Sequence, residues 1–204
     1  MEKCRNDGAF FVTLNSFQGL LGCVGSLWRQ IVLKNKNIIL VGMMGCGKST
    51  IGKLLADAME GFEFVDTDEQ IEKTAQMTIP EIFIDYGESS FRELESGTIK
   101  RFCARENQVI STGGGCVESI ENMDALKESG IVFYLKATAD TLFERVKHTK
   151  DRPMLYDEDP KKKLKMLLKR REPMYQSADF VIDTENRTQD DIVKELRDLY
   201  YANR

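Results

Sequence analysis

Histidine is almost absent from this 204-residue chain, which contains His148 alone. A mechanism that needs two histidines is therefore excluded by count. The five cysteines are scattered and show no C-x-x-C spacing, which argues against a zinc site or a disulfide framework and favours free thiols in a reducing compartment. The chain also lacks a strong excess of basic residues. Its formal net charge of −4 gives no electrostatic footprint for nucleic acid.

Long apolar runs are missing as well. The best candidate, residues 9–33, is interrupted by Asn15, Ser16 and Gln18, whereas a membrane-spanning helix needs about 20 mostly apolar residues. We therefore expect no membrane partner. The composition that remains, 42% hydrophobic and 30% charged residues, is ordinary for a globular protein, and the length suits one domain.

The first 36 residues differ from the rest of the chain because they are net positive and show no clear helical or strand period. We predict a poorly ordered extension at 1–36, or an upstream start codon, followed by a domain at 37–204. Two other interpretations stay open. Leu20-Leu21-Gly22-Cys23 is similar to a lipoprotein processing box, but two acidic residues near the start fit an export signal poorly; an organelle transit peptide would carry more serine. We expect a cytoplasmic protein.

The segment 42–49, GMMGCGKS, matches the phosphate-binding pattern G-x-x-x-x-G-K-[ST] at every fixed position. An apolar strand pattern precedes it and a helical pattern follows it, which is the context that the motif requires. Its glycines allow successive backbone N–H groups to face a phosphate, and the helix adds the positive end of its dipole. Lys48 can reach terminal phosphates and the Ser49 hydroxyl can ligate Mg²⁺. The sequence predicts an ATP site formed by Gly45, Cys46, Gly47, Lys48, Ser49 and Thr50.

From residue 37 onward, short apolar runs alternate with amphipathic segments. The pattern predicts strands at 37–41, 62–65, 108–112, 131–135 and 180–183. It predicts helices at 50–59, 67–75, 79–85, 88–105, 119–129, 139–148, 160–175 and 189–201. Strands that alternate with helices favour an α/β fold with a parallel sheet and helices on both faces. Ligands then bind at the carboxyl edge of the strands.

Two loops at that predicted edge contain residues suited to catalysis or ligand binding. Asp66-Thr67-Asp68 follows the second strand, where one carboxylate could support Mg²⁺ and the other could accept a hydroxyl proton. The same residue types also cap helices, so a purely structural role is an open alternative. Three glycines, Gly113 to Gly115, follow the third strand and would let a ligand approach the backbone closely.

Three arginines are candidates for binding anions: Arg92, Arg152 and Arg171. Arg152 lies in the proline-containing stretch DRPML between two predicted helices, which suits a lid that closes over phosphates. Ordinary alternatives exist for each: a surface ion pair for Arg92, a charged loop for Arg152, and a favourable helix-dipole position for Arg171.

Taken together, the segments GMMGCGKST, DTD, FRxxE, TGGG, DRPML and RxPMY, in this order, resemble the shikimate kinases. The resemblance covers Asn37 to about Tyr200. It implies a P-loop kinase fold of the nucleoside-monophosphate-kinase type, with a five-stranded parallel sheet and a mobile lid. It implies phosphoryl transfer from ATP, with Mg²⁺, to the 3-hydroxyl of shikimate in aromatic amino acid biosynthesis. We expect a monomer.

The resemblance also implies roles for individual residues. Lys48, Asp68 and Arg152 would be catalytic, with Asp68 holding the acceptor hydroxyl. The shikimate carboxylate would lie between Arg92 and Arg171, and backbone N–H groups around Gly114 would meet the ring hydroxyls. Further implied contacts are Ser49 and Asp66 with Mg²⁺, and Arg152 and Arg187 with the nucleotide.

One departure from the family pattern is Cys46, which stands where Ala or Ser is usual. We expect sensitivity to thiol reagents at this position, with protection by nucleotide. Three alternatives to a shikimate kinase stay open: a gluconate-type or other small-metabolite kinase, a nucleoside monophosphate kinase, and a kinase-like binding module without catalysis. The intact Lys48, Asp68 and Arg152 argue against the last of these.

Overall fold

A computed structural model of the chain describes residues 36–147 and 159–204. The predictions made for residues 1–35 therefore lie outside the described residues. The same is true of residues 148–158, which include His148 and the predicted lid arginine Arg152. The extension and the lid stay predictions.

The described residues form five strands and seven α-helices. In chain order these are β1 (Asn37–Val41), α1 (Lys48–Asp57), β2 (Glu63–Asp66), α2 (Thr67–Ala75), α3 (Ile79–Cys103), β3 (Gln108–Ser111), a 3₁₀ turn (Cys116–Glu118), α4 (Ile120–Ser129), β4 (Gly130–Lys136), α5 (Ala139–Val146), α6 (Pro160–Tyr175), β5 (Phe180–Asp183) and α7 (Gln189–Asn203).

All five strands belong to one parallel sheet in the order β2-β3-β1-β4-β5. The predicted five-stranded parallel sheet flanked by helices is confirmed. Strands β1 and β3 are buried along their whole length, as expected for central strands covered on both faces. Since the strands run in the same direction, the loops that follow β1, β2 and β3 meet at one edge of the sheet.

Helix α3 differs from the prediction of two helices at 79–85 and 88–105. It begins with a capping box between Thr78 and Glu81 and runs as one element to Cys103. Gly87 forms a kink inside it, with φ 80° and ψ 174°. The break between the two predicted helices is therefore a kink within one helix and not a loop. Glycine is suited to the kink, since it adopts this backbone conformation without strain.

Most buried side chains form one core around β1 and β4, and a second small cluster of Ile71, Ile82 and Phe91 joins α2 to α3. Within the described ranges, no helix has both the length and the apolar character needed to cross a membrane.

Candidate active site

A cleft of about 1050 Å³ opens at the carboxyl edge of the sheet. Lys48 was predicted to reach the terminal phosphates, and Asp68 to hold the acceptor hydroxyl. Both side chains line this cleft. The other predicted site residues within the described ranges line it too: Gly45, Cys46, Gly47, Ser49, Thr50, Asp66, Arg92, Gly114, Arg171 and Arg187. The structure thus brings the predicted set together, with Arg152 outside the described residues.

The phosphate-binding loop owes its shape to glycines in the left-handed region. Gly45 has φ 82° and Gly47 has φ 100°. A Cβ on Gly45 would lie 2.7 Å from a methyl carbon of Val146, so any larger residue would force a rearrangement. Helix α1 begins directly after Gly47 without a side-chain cap. Its first-turn N–H groups therefore have no capping side chain, and they suit an anion.

Lys48 is buried against this loop. Its Nζ donates to the carbonyl oxygens of Gly42 at 2.7 Å and Met43 at 3.2 Å. The ammonium group is thus fixed at the loop, where its charge supplements the N-terminal end of the α1 dipole.

Asp66 connects the phosphate loop with the ends of β2 and β3. Its Oδ2 accepts hydrogen bonds from the hydroxyls of Ser49 at 2.6 Å and Ser111 at 3.1 Å. Its Oδ1 accepts from the backbone N–H of Asp68 and caps α2. One side chain therefore combines the capping role with a place beside Ser49. A hydroxyl and a carboxylate in contact offer hard oxygen ligands, so Ser49 and Asp66 would suit Mg²⁺.

Asp68 and Glu95 approach the glycine loop from α2 and α3. A Cβ on Gly113 would lie 2.7 Å from an oxygen of each carboxylate, which explains why this position has no side chain. Glu95 is 1% exposed and accepts a hydrogen bond from Arg92 at 2.7 Å. Burial raises the pKa of Glu95 above its ordinary value, and the nearby Arg92 offsets this only in part.

Arg92 and Arg171 lie on either side of Glu118. The Nε of Arg171 donates to Glu118 Oε1 at 3.1 Å, and the other carboxylate oxygen is 3.9 Å from Arg92. Partial burial acts to raise the pKa of Glu118, but hydrogen bonds and charge from Arg171 and Arg170 hold that pKa below its ordinary value. Arg171 is only 2% exposed, so Glu118 compensates a guanidinium that has little contact with water.

Two further arginines, Arg187 and Arg145, line the cleft. Arg187 donates to the carbonyl oxygens of Asp183 and Asp191, both at 3.2 Å, and forms an ion pair with Glu195. Arg145 on α5 donates to the carbonyl oxygen of Gly45 at 3.3 Å. The resemblance implied a role for Arg187, whereas Arg145 was not predicted.

Sequence reasoning also missed Glu95, Glu118 and Ser111 as site residues. Glu95 was detectable, since it lies three residues after Arg92 on the same helical face within FRxxE. Ser111 lies within the predicted strand 108–112, just before the glycine loop. Glu118 had no local signal, because its position depends on a 3₁₀ turn and on residues of α6 more than 50 positions away.

The sensitivity to thiol reagents that we expect at Cys46 stays a prediction, and the structure shows how this residue is packed. Cys46 is 2% exposed, and its thiol lies 3.7 Å from Lys48 Nζ. A Cβ on Gly42 would come within 2.8 Å of this sulfur, which shows how tightly it is packed. Its burial argues against ready labelling by thiol reagents, because such chemistry needs an accessible thiol.

Comparisons with known proteins identify the family to which this chain belongs. A family model described as shikimate kinase matches residues 44–200. A shikimate kinase of Thermodesulfovibrio yellowstonii is 48% identical over 161 residues, which cover 79% of this chain and 92% of that protein. The structure of shikimate kinase from Acinetobacter baumannii in complex with shikimate aligns with a TM-score of 0.80 and 37% identity, over 86% of this chain and 98% of that chain. A gluconokinase from Sinorhizobium meliloti 1021 aligns with a TM-score of 0.52 and 20% identity, over 84% of this chain and 98% of that chain, which shows a shared fold alone. The chain therefore belongs to the shikimate kinase family.

Proposed function

We propose that this chain transfers the terminal phosphoryl group of ATP to the 3-hydroxyl of shikimate, giving ADP and shikimate 3-phosphate for aromatic amino acid biosynthesis. Family membership supports this activity. The observation that carries it is the convergence of Lys48, Asp68, Arg92 and Arg171 on one cleft. That cleft offers a phosphate loop at one end and a carboxylate-binding pair of arginines at the other.

The nucleotide end consists of the loop 42–49 and the start of α1. Loop amides and Lys48 would bind the phosphates, and Arg187 would contact the nucleoside side of the cleft. Ser49 and Asp66 would hold Mg²⁺. When bound, Mg²⁺ neutralises charge on the phosphate oxygens. Arg152, outside the described residues, is proposed to close over the phosphates.

The shikimate end holds an anionic polyol. Arg92 and Arg171 would bind the substrate carboxylate, since guanidinium groups match its two oxygens. Backbone N–H groups around Gly114 would meet the ring hydroxyls, and Asp68 would orient the 3-hydroxyl and accept its proton. Phosphoryl transfer needs little beyond this positioning and charge neutralisation.

We further propose that the enzyme acts as a monomer in the cytoplasm, without membrane or nucleic-acid partners. The net charge of −4 supports the lack of a nucleic-acid partner. The division into an extension at 1–36 and a kinase domain at 37–204 is also a proposal. The family match at 44–200 falls within the proposed kinase domain.

The test is an ATP-consumption assay with shikimate, gluconate and nucleoside monophosphates offered separately to the purified full chain. We expect turnover with shikimate only. Lys48→Met, purified in the same way, is the matched control for contaminating kinases and should be inactive. Turnover with gluconate or a nucleoside monophosphate in place of shikimate would contradict the proposal.

A further inference from the structure

Helix α6 carries two buried side chains one turn apart, Arg171 and Tyr175, which are 2% and 0% exposed. Arg171 faces the proposed carboxylate end of the cleft. Tyr175 points toward the glycine loop, and its hydroxyl donates a hydrogen bond to the carbonyl oxygen of Gly114 at 2.6 Å. One helix therefore contacts both the arginine end and the glycine end of the proposed shikimate site.

The Tyr175 hydroxyl is suited to a permanent donor role. Burial raises the pKa of Tyr175 well above its ordinary value, so the group stays protonated. Its ring stacks on Tyr134 with centroids 4.9 Å apart and an interplanar angle of 17°. Tyr134 is held in turn through its own hydroxyl, which donates to Glu172 at 2.6 Å. The direction of the Tyr175 side chain is thus fixed by packing.

The bond to Gly114 matters because of peptide geometry. The Gly114 carbonyl and the Gly115 N–H belong to one planar trans peptide, so they point in opposite directions. A peptide between two glycines has no Cβ to resist rotation. Among the described residues, none accepts a hydrogen bond from the N–H of Gly114 or Gly115. Among the residues that the structure describes, the Tyr175 hydroxyl is the side-chain group hydrogen-bonded to this peptide.

We propose that Tyr175 is a positioning residue for the substrate. By binding the Gly114 carbonyl, it aims the Gly115 N–H away from the core and toward the hydroxyls of the bound polyol. Because Arg171 lies on the same helix, this helix fixes the distance between the group that binds the substrate carboxylate and the loop that binds the ring hydroxyls. This inference rests on the proposed function, since it names a determinant of the same site.

The chain offers a matched control in the same aromatic stack. Tyr175→Phe and Tyr134→Phe each remove one buried hydroxyl and keep the ring. The Tyr175 hydroxyl donates its short hydrogen bond to Gly114 and also lies 3.7 Å from the sulfur of Met43. Only the bond of Tyr175 ends on the glycine loop, whereas that of Tyr134 ends on Glu172. A general loosening of the stack would affect both variants alike.

Two measurements test the proposal on the full chain. In steady-state kinetics, Tyr175→Phe should raise the KM for shikimate about tenfold, because a buried acceptor loses its donor, and should change the KM for ATP less than about twofold. Tyr134→Phe should leave both constants within about twofold. Amide hydrogen exchange by NMR reports on the loop without substrate. The N–H groups of Gly113 and Cys116, bonded to Thr67 and Gly113, should exchange about tenfold faster in Tyr175→Phe only.

Other outcomes overturn the inference. An unchanged shikimate KM with unchanged exchange in Tyr175→Phe would show that the hydroxyl does not position the loop. Equal effects in both variants would assign the change to the stack as a whole. If the wild-type chain did not turn over shikimate at all, the proposed function would fail, and the exchange experiment would still decide whether Tyr175 holds the loop.

Discussion

Asp68 and Glu95 are two carboxylates that share one cleft and have different surroundings. Glu95 is almost fully buried and hydrogen-bonded to Arg92, and burial raises its pKa. Asp68 follows the helix-capping Asp66 and approaches Gly113 from α2, whereas Glu95 approaches it from α3. We propose that Asp68 binds the acceptor hydroxyl and that Glu95 orients Arg92.

Replacing Asp68 with Asn should lower kcat by about 10²–10⁴-fold, since the amide keeps the size of the side chain but cannot accept the proton. Helix α2 keeps its cap, because Asp66 supplies it. Nucleotide affinity, measured by calorimetry with ADP and Mg²⁺, should therefore change less than about threefold. Full turnover in this variant would refute the assigned role.

The raised pKa of Glu95 makes a prediction about stability. The folded protein holds this proton more tightly than the unfolded chain, whose carboxyl titrates near the ordinary value of 4.5. The stability of the wild type relative to Glu95→Gln should be greatest below pH 4.5 and should fall as pH rises through the higher folded pKa. Free energies of unfolding by urea at a series of pH values measure it.

The charged groups that face Glu95 come from several elements: Arg92 and Arg171 with positive charge, and Glu118 with negative charge. These groups are present in both the wild type and Glu95→Gln. The difference between their unfolding free energies, followed against pH, therefore reports on residue 95. Glu93→Gln, an exposed position on the same helix, controls for the loss of a surface charge. A relative stability that increases with pH would contradict the prediction.

At the scale of elements, helix α3 contains two glycines in opposite situations. Gly87 has φ 80° and ψ 174° at the kink, and Gly97 is exposed in regular helix. A Cβ on either would meet nothing within 4 Å, so packing is the same for both. Only backbone conformation distinguishes them.

We therefore expect opposite effects of alanine at these positions. Gly87→Ala should destabilise the protein by about 1–3 kcal/mol, because this backbone region is strained for any residue with a Cβ. Gly97→Ala should stabilise it by about 0.5–1 kcal/mol through lower unfolded-chain entropy and better helix propensity. Thermal or urea unfolding of both variants measures these changes in stability relative to the wild type. Equal shifts would show that α3 is not kinked at Gly87 in solution.

The accuracy of the sequence-based boundaries varied with the local signal. The predicted bounds of α2, α6 and β5 match the structure, because caps, prolines or strand ends mark them. Helix α1 was predicted to begin at Thr50 and begins at Lys48, since Gly47 provides no capping side chain. Tyr175 was missed as a site residue because its partner, Gly114, is 61 positions away. Contacts of that separation have no local pattern in one sequence.

At the scale of the whole molecule, the strand order determines which loops lie next to each other at the candidate active site. Alternation of strands and helices predicts a parallel sheet, but it does not distinguish β2-β3-β1-β4-β5 from other orders. The observed order places β1 between β3 and β4, so the phosphate loop after β1 lies beside the glycine loop after β3. The sequence analysis predicted that the loops after the strands meet at one edge of a parallel sheet, and it made no prediction of strand order.

The last helix, α7, packs against the start of β1. Tyr200 on α7 is 0% exposed, donates to the carbonyl oxygen of Lys36 at 2.9 Å and packs its ring against Phe62 at 5.6 Å. Its neighbour Tyr201 is 47% exposed. Residues from opposite ends of the described fold are thus joined through one side chain.

Tyr200→Ala should cost about 3–5 kcal/mol of unfolding free energy, a large part of the roughly 5–15 kcal/mol that stabilises a typical domain. Tyr200→Phe keeps the ring and should cost about 1 kcal/mol, because only the hydrogen bond is lost. Tyr201→Ala should stay within about 0.5 kcal/mol, since the position is largely exposed. Urea unfolding of the three variants measures these differences. Equal losses at positions 200 and 201 would mean that α7 does not close the sheet through Tyr200.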